Sequence, residues 1–537
     1  MYRIRLGESL FPAQDDVAIL EETLGDALRR VTAARPDDAA LVEVTLEGQP
    51  ARRWSYAALL ADAERLALAF ASRWETGTRI AVWSPNSPEW VIVEYACALA
   101  GLTLVTVNPA YQLRELAYVL RQSGAVALLH VEAYRGNPMG EIARAVAAEL
   151  PAIRDLVDME DPAQLFATGP RPAVLPAVAP DDPLMIQYTS GTTGFPKGAV
   201  LHHRGTVNNG RLYKTRMGMA PGSRWINFMP MFHTGGSCCM TQGCLQAEGC
   251  LYVCRLFEPA AMLRLIAAED ANAILAVPTM LLAMCEAQAH LQLAYPGMRM
   301  VVSGGSMVAP DLVRRVRGLF DCDFQIIYGQ TETSPVACQS ALDDSLEDIC
   351  TSVGQPLPQT ELSIRDPAEN TVQPCGTVGE ICIRGYLNMI GYNDDPAATA
   401  ATIDTAGWLH TGDLGTMDDR GYVAVTGRVK EMIIRGGENL FPAEIENLLL
   451  EHPAVAEVAV VGLPDERWGE VVAAFIRSPD GAALPVDELK RFCRAHLAPQ
   501  KTPTLWIPVA DFPLTGSGKV QKFRLREMYE TGGFARA

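Results

Sequence analysis

The chain has 537 residues, 49% hydrophobic and 20% charged, which exceeds what one hydrophobic core accommodates, so at least two domains are expected. A net charge of −18 opposes loose binding to nucleic acid or anionic lipid and points to small-molecule partners. The thirteen cysteines, from Cys97 to Cys493, include no Cys-x-x-Cys pair and no disulfide-dense module, which fits a reducing, cytoplasmic setting.

Along the chain, residues 23–34 and 56–74 carry helical periodicity. The N-terminus lacks the apolar core of a signal peptide, and the most apolar stretch, 91–107, is interrupted by Glu94, so no membrane span is expected. Residues 79–109 read as a βαβ unit: strand 80–83, a loop with Pro85 and Pro88, a helix to about Ala100, then Gly101 and a strand ending near Val107. Cys250 and Cys254 have the spacing of one helix face, but no histidine clusters with them. Buried small hydrophobes are the plainer reading, and no metal cage is expected there. Further apolar strands over 272–277, 298–302 and 325–328 alternate with helical stretches. That pattern predicts an α/β fold whose large N-terminal domain has parallel sheet, with sites at strand C-termini. Near residues 427–430 the character changes, and a small α+β domain follows from Ala443.

The most informative stretch is 188–198, Tyr-Thr-Ser-Gly-Thr-Thr-Gly-Phe-Pro-Lys-Gly, directly after an apolar strand at 183–187. Hydroxyls, amides freed by glycine and a cation all suit phosphate oxygens. Lys197 precedes Gly198 where a Walker A loop needs Ser or Thr, so a P-loop ATPase is excluded.

This segment resembles the phosphate loop of the adenylate-forming superfamily, which includes acyl-CoA synthetases, firefly luciferase and the adenylation domains of nonribosomal peptide synthetases. The family's other motifs are present in order, over about residues 22–528. The resemblance assigns nucleotide phosphates to Thr189, Ser190, Gly191, Thr192, Thr193, Gly194 and Lys197. It gives adenine to Tyr328, in Tyr328-Gly329-Gln330-Thr331-Glu332, and magnesium to Glu332 and Thr192. It counts Gly304, Gly305 and Ser306 as cofactor-binding residues, in a segment that, with the His233 segment and Val277-Pro278-Thr279-Met280, borders the entry of the carboxylate. Asp413, in Trp408-Leu409-His410-Thr411-Gly412-Asp413, and Arg428 match the ribose-binding pair.

Lys430 stands at the hinge position, which implies domains of 1–429 and 430–537, the second mobile. Gly436, Gly437 and Glu438 match the loop lining the pantetheine tunnel, and Lys519 matches the lysine that bridges carboxylate and phosphate oxygens. His233 occupies the position of a gate beside the reacting carboxylate. Small Gly235, Gly236, Ser237 and Cys238 are expected to leave room for an acyl chain, with Met240 and Met280 adapting to it.

The implied activity is activation of a carboxylic acid with ATP and Mg²⁺ as acyl-AMP, then transfer to coenzyme A. Lys519, Glu332, Thr192 and His233 are its catalytic candidates. Within the family, the texture is similar to the acyl-CoA synthetase family member 2 group and bacterial medium-chain ligases. No acidic or amide group is evident for a substrate amine or phenol, which favours an aliphatic acid. Loading of a separate carrier protein and a catalytically silent nucleotide-binding scaffold are the rival readings; the chain stops soon after Lys519, without a fused carrier domain. Relatives include monomers and homodimers, which leaves symmetry open.

Overall fold

The computed structural model describes residues 1–534 except 190–195, 307, 437, 466, 480 and 515–519. Its first long helix, Leu24–Ala34, starts where the sequence places it, because Thr23 and Asp26 close a capping box around the free amides. The second runs Tyr56–Arg73, capped by Ser55. The βαβ unit is present as Arg79–Trp83, Pro88–Ala100 and Thr103–Val107, its two strands parallel. Ser87 caps the helix, Pro88 fills a position whose N–H would be unbonded, and Gly101 ends it in the left-handed region at φ 64°. Nearly every side of this helix is buried, including Trp90 at 0% exposure. A large side chain buried in this way contributes about 1.5–3 kcal/mol.

The chain divides by packing into two units. The first comprises residues 1–4, 11–362 and 383–409; the second comprises 5–10, 363–382 and 410–537. The expected boundary at 429/430 is one of motion, whereas this division is one of packing, in which Lys430 falls inside the second unit.

The first unit holds two large sheets. One has seven strands in the order Gly391–Tyr392, Lys197–His202, Pro183–Thr189, Thr103–Val107, Arg79–Trp83, Ala127–His130, Asp155–Asp158. The other has nine, and at its centre Asp323–Tyr328, Met300–Gly304, Ala273–Leu275, Arg224–Asn227 and Cys250–Cys254 lie side by side, all parallel. Cys250 and Cys254 therefore sit on a buried strand and not on a helix face, and both pack as small hydrophobes.

In the second unit, Glu457–Asp465 and Gly469–Arg477 form a long hairpin, flanked by Ile433–Arg435 and Leu505–Pro508. Leu409–Met417 pairs antiparallel with Val423–Arg428 in a separate five-stranded sheet built mostly from residues of this unit. Among the described residues no helix is long and apolar enough to cross a membrane.

Candidate active site

The C-terminal ends of the parallel strands in the nine-stranded sheet gather four of the expected segments along one edge. Asp323–Tyr328 ends in Tyr328, its neighbour Met300–Gly304 ends in Gly304, Ala273–Leu275 leads to Val277 and Met280, and Arg224–Asn227 leads to His233. Chain direction causes this, since every loop leaving a parallel strand emerges on the same side.

Gly304 lies opposite Ile327, and a Cβ there would come within 2.5 Å of the Ile327 carbonyl oxygen. Beyond it Gly305 and Ser306 are exposed. Gly329 is equally constrained, because a Cβ would sit 1.9 Å from the Pro335 carbonyl oxygen. The chain after it stays close because the buried Asn209 side chain bonds both backbone groups of Val336, at 2.6 and 3.1 Å. That turn leads through Gln330 and Thr331 to Glu332, which is 7% exposed.

Glu332 is joined to Lys197 by a residue that the motifs do not reveal. Tyr392 donates its phenol hydrogen to Glu332 Oε1 at 2.7 Å, and Lys197 Nζ lies 4.8 Å from the centre of the same ring. Burial, and then the Glu332 charge, hold the Tyr392 phenol well above its ordinary pKa, so it stays a donor. Strand pairing fixes the geometry: Lys197 faces Thr189 across the two strands that flank residues 190–195, and Tyr392 pairs with Ala199. Ser190, Gly191, Thr192, Thr193 and Gly194 lie outside the described residues, as do Gly437 and Lys519.

His233 is half-buried and opens a buried π-helix, Gly235–Gln242. Its Nδ1 accepts the Gly235 N–H at 3.2 Å, so a neutral ring carries its proton on Nε2. Ser237 braces the segment, donating to the His233 carbonyl and accepting from Gln187. The expectation that Gly236 leaves room for an acyl chain needs correction. A Cβ there would meet the Pro230 carbonyl oxygen at 2.4 Å, so backbone already fills that space. Gly235 is freer, with its nearest neighbour, the Met229 methyl, at 3.3 Å. Burial pushes the Cys239 thiol up to about 12, so it is not a thiolate nucleophile.

The second unit brings Asp413 and Arg428 together, with Asp413 Oδ1 3.0 Å from Arg428 Nε across paired strands. Lys430 is exposed in the short 3₁₀ turn that follows. Gly436 adopts φ +60°, and a Cβ on it would lie 2.9 Å from the Trp468 ring, so only glycine fits beside this indole. The Glu438 backbone stands opposite that of Arg435 in the strand register of the adjoining hairpin. Trp468, which is 41% exposed, is flanked by the guanidinium groups of Arg435 and Arg467 at 5.2 and 5.0 Å. An Arg-Trp-Gly run in the turn of a hairpin is the signal that would have found it.

Comparison with known proteins decides the family. The AMP-binding enzyme family matches residues 28–393, and the AMP-binding enzyme C-terminal domain matches 444–519. The chain belongs to the AMP-binding enzyme family. This AMP-binding enzyme is 35% identical over 543 residues to the medium-chain acyl-CoA ligase ACSF2 of Bos taurus, a mitochondrial protein, covering 95% of this chain and 88% of that one. ATP-bound MatB from Rhodopseudomonas palustris superposes with a TM-score of 0.84 at 28% identity, over 94% of this chain and 99% of MatB. A Mycobacterium tuberculosis fatty acyl CoA synthetase superposes at 0.75, also at 28% identity, over 95% and 99% of the two chains. The AMP-binding enzyme described here thus has the adenylate-forming fold and is an AMP-forming acid–CoA ligase.

Proposed function

We propose that the enzyme activates a medium-chain aliphatic acid as its acyl-adenylate and passes the acyl group to coenzyme A. The observation that carries this reading is the Lys197–Tyr392–Glu332 cluster beside the strand ends bearing Tyr328, Gly304 and the His233 segment. A phosphate-binding cation and a hard-oxygen carboxylate are joined there by one phenol.

In the first half-reaction the substrate carboxylate attacks the α-phosphorus in line and pyrophosphate leaves. Thr189 and Lys197, with the intervening loop, hold the phosphates. Tyr328 receives the adenine, Gly304–Gly305–Ser306 borders the nucleotide and the entry of the acid, and Asp413 and Arg428 receive the ribose. His233 Nε2–H donates toward the acid oxygen, and Lys519 stabilises charge at the reacting oxygens. Glu332, buried and with one oxygen on Tyr392, fits a Mg²⁺ ligand, with Thr192 as its partner. A Mg²⁺ ion held by these residues would neutralise phosphate charge. In the second half-reaction the C-terminal domain rotates at Lys430, and the CoA thiol approaches along Gly436, Gly437 and Glu438 and displaces AMP. No covalent enzyme intermediate is required.

Aliphatic preference is supported by the pocket segments, which offer no acidic group for an amine, and by the medium-chain ligase relative. A reducing, cytoplasmic location belongs to the same reading, on the scattered spacing of the thirteen cysteines in the sequence. Trp468 extends the reading, since an exposed indole between two arginines suits the adenine and phosphates of CoA. Trp468→Ala is expected to raise the KM for CoA about tenfold, the scale of one lost base stack, and to leave acid-dependent pyrophosphate exchange unchanged. An unaltered CoA KM would remove Trp468 from the site.

The deciding assay is AMP release with ATP, Mg²⁺ and CoA across short, medium, long, branched and aromatic acids. A maximum at medium aliphatic acids that vanishes without CoA supports the proposal. Pyrophosphate exchange without CoA turnover indicates carrier loading instead, and absence of AMP indicates a silent scaffold. Preferential turnover of aromatic or amino acids would sink the aliphatic assignment.

A further inference from the structure

We infer that Glu380 and His410 form a clamp that presets the Thr411–Gly412 turn and so aims the Asp413 carboxylate at the nucleotide ribose. The inference rests on the reading of Asp413 given above and extends it to two residues whose motifs carry no role.

Both residues lie on neighbouring strands of one sheet, Gly379–Gly385 and Leu409–Met417. Glu380 uses both carboxylate oxygens. Oε2 accepts from His410 Nδ1 at 2.8 Å, and Oε1 accepts the Gly412 N–H at 3.0 Å. Thr411 Oγ1 donates to the Ile381 carbonyl at 2.7 Å and accepts the Asp413 N–H at 3.1 Å. Each residue of the turn is therefore tied to the neighbouring strand or to the next residue.

The tie is needed because Gly412 sits at φ +71° and, among the described residues, no heavy atom beyond its chain neighbours lies within 4 Å of where a Cβ would be. Glycine is there for its conformation and not for space, and a free glycine also samples other backbone angles. The Glu380–Gly412 bond selects one of them. His410 keeps the carboxylate from rotating, since the two side chains are only 13% and 22% exposed and the bond between them is charge-assisted. Asp413 then leaves the turn with Oδ1 on Arg428.

Cys382 Sγ lies 3.5 Å from His410 Nδ1, and ligand atoms of Glu380, Cys382 and His410 all fall within 4.8 Å of one another. A metal ion at this spot would have to take Nδ1 away from Glu380. The hydrogen-bonded clamp accounts for the short Nδ1–Oε2 distance and for the hold on Gly412 at once, so we assign positioning to the cluster, not metal binding.

The test compares kcat/KM for ATP with that for 2′-deoxy-ATP and 3′-deoxy-ATP in the full-length enzyme, with melting temperatures checking that each variant folds. Wild type should prefer ATP, and Asp413→Asn should erase the preference. His410→Phe and Glu380→Ala are expected to shrink it about tenfold, the cost of a catalytic group displaced by a fraction of an ångström, without moving the KM for the acid or CoA. His410→Asn, whose amide nitrogen replaces Nδ1, should retain it. If Glu380→Ala does not fold, His410→Phe against His410→Asn carries the comparison. A full preference for ATP in His410→Phe, or parallel KM increases for all three substrates, would overturn the clamp. An Asp413→Asn variant that still prefers ATP would overturn instead the ribose assignment beneath it.

Discussion

Alanine at position 519 is expected to lower acid-dependent pyrophosphate exchange by about 10²–10³-fold, the loss typical of removing one preorganised charge-stabilising donor. Thioester formation from supplied acyl-AMP and CoA should change little. The asymmetry follows from the division of labour proposed at Lys430: the ammonium is needed while charge builds on the phosphoryl oxygens and is withdrawn before the thiol attacks. Lys519→Arg should rescue poorly, because a planar guanidinium does not replace a compact ammonium between two oxyanions. Equal losses in the two half-reactions would contradict both the role of Lys519 and the rotation.

Elements with a strong local signature were legible in the sequence. The first two helices and the 79–107 unit lie within a residue or two of their expected bounds, because capping residues, Pro88 and Gly101 fix those ends locally. The motif residues around Tyr328 and Gly304 were legible because glycines that permit close backbone approach are hard to replace. What escaped depends on pairing between distant segments. Tyr392 meets Glu332 and Lys197 only because the two-residue strand Gly391–Tyr392 pairs with Ala199 and Val200. Glu380 meets Gly412 only because two strands with 23 residues between them are neighbours. Gly236 was misread for the opposite reason: smallness shows in the sequence, but the backbone that occupies the space does not.

Glu94 has an environment unlike its sequence appearance, as it looked like a polar interruption and is fully buried. Gln242 Nε2 donates to its Oε1 at 2.9 Å, while Oε2 and Gln242 Oε1 have no partner among the described residues. Burial is the dominant cause and the Gln242 bond a smaller opposing one, leaving the carboxyl pushed up to about 8. The acid is therefore neutral in the folded protein at neutral pH.

The sign of the consequence is fixed by linkage. Between the ordinary carboxyl value of 4.5 and about 8, the unfolded chain has released a proton that the folded protein keeps. Stability then falls as pH rises through that window, by at most about 1.4 kcal/mol per pH unit, and levels off above it. Glu94→Gln is neutral at every pH and escapes the loss. Its melting temperature should match wild type near pH 4.5 and exceed it increasingly toward pH 8, for a final gain on the order of a few kcal/mol. A difference between the two proteins that stays constant from pH 5 to 8 would show that Glu94 ionises in the folded state as it does in the unfolded one. Because Gln242 ends the π-helix that His233 opens, the same variant reports whether that helix tolerates a neutral amide pair behind the candidate acyl site.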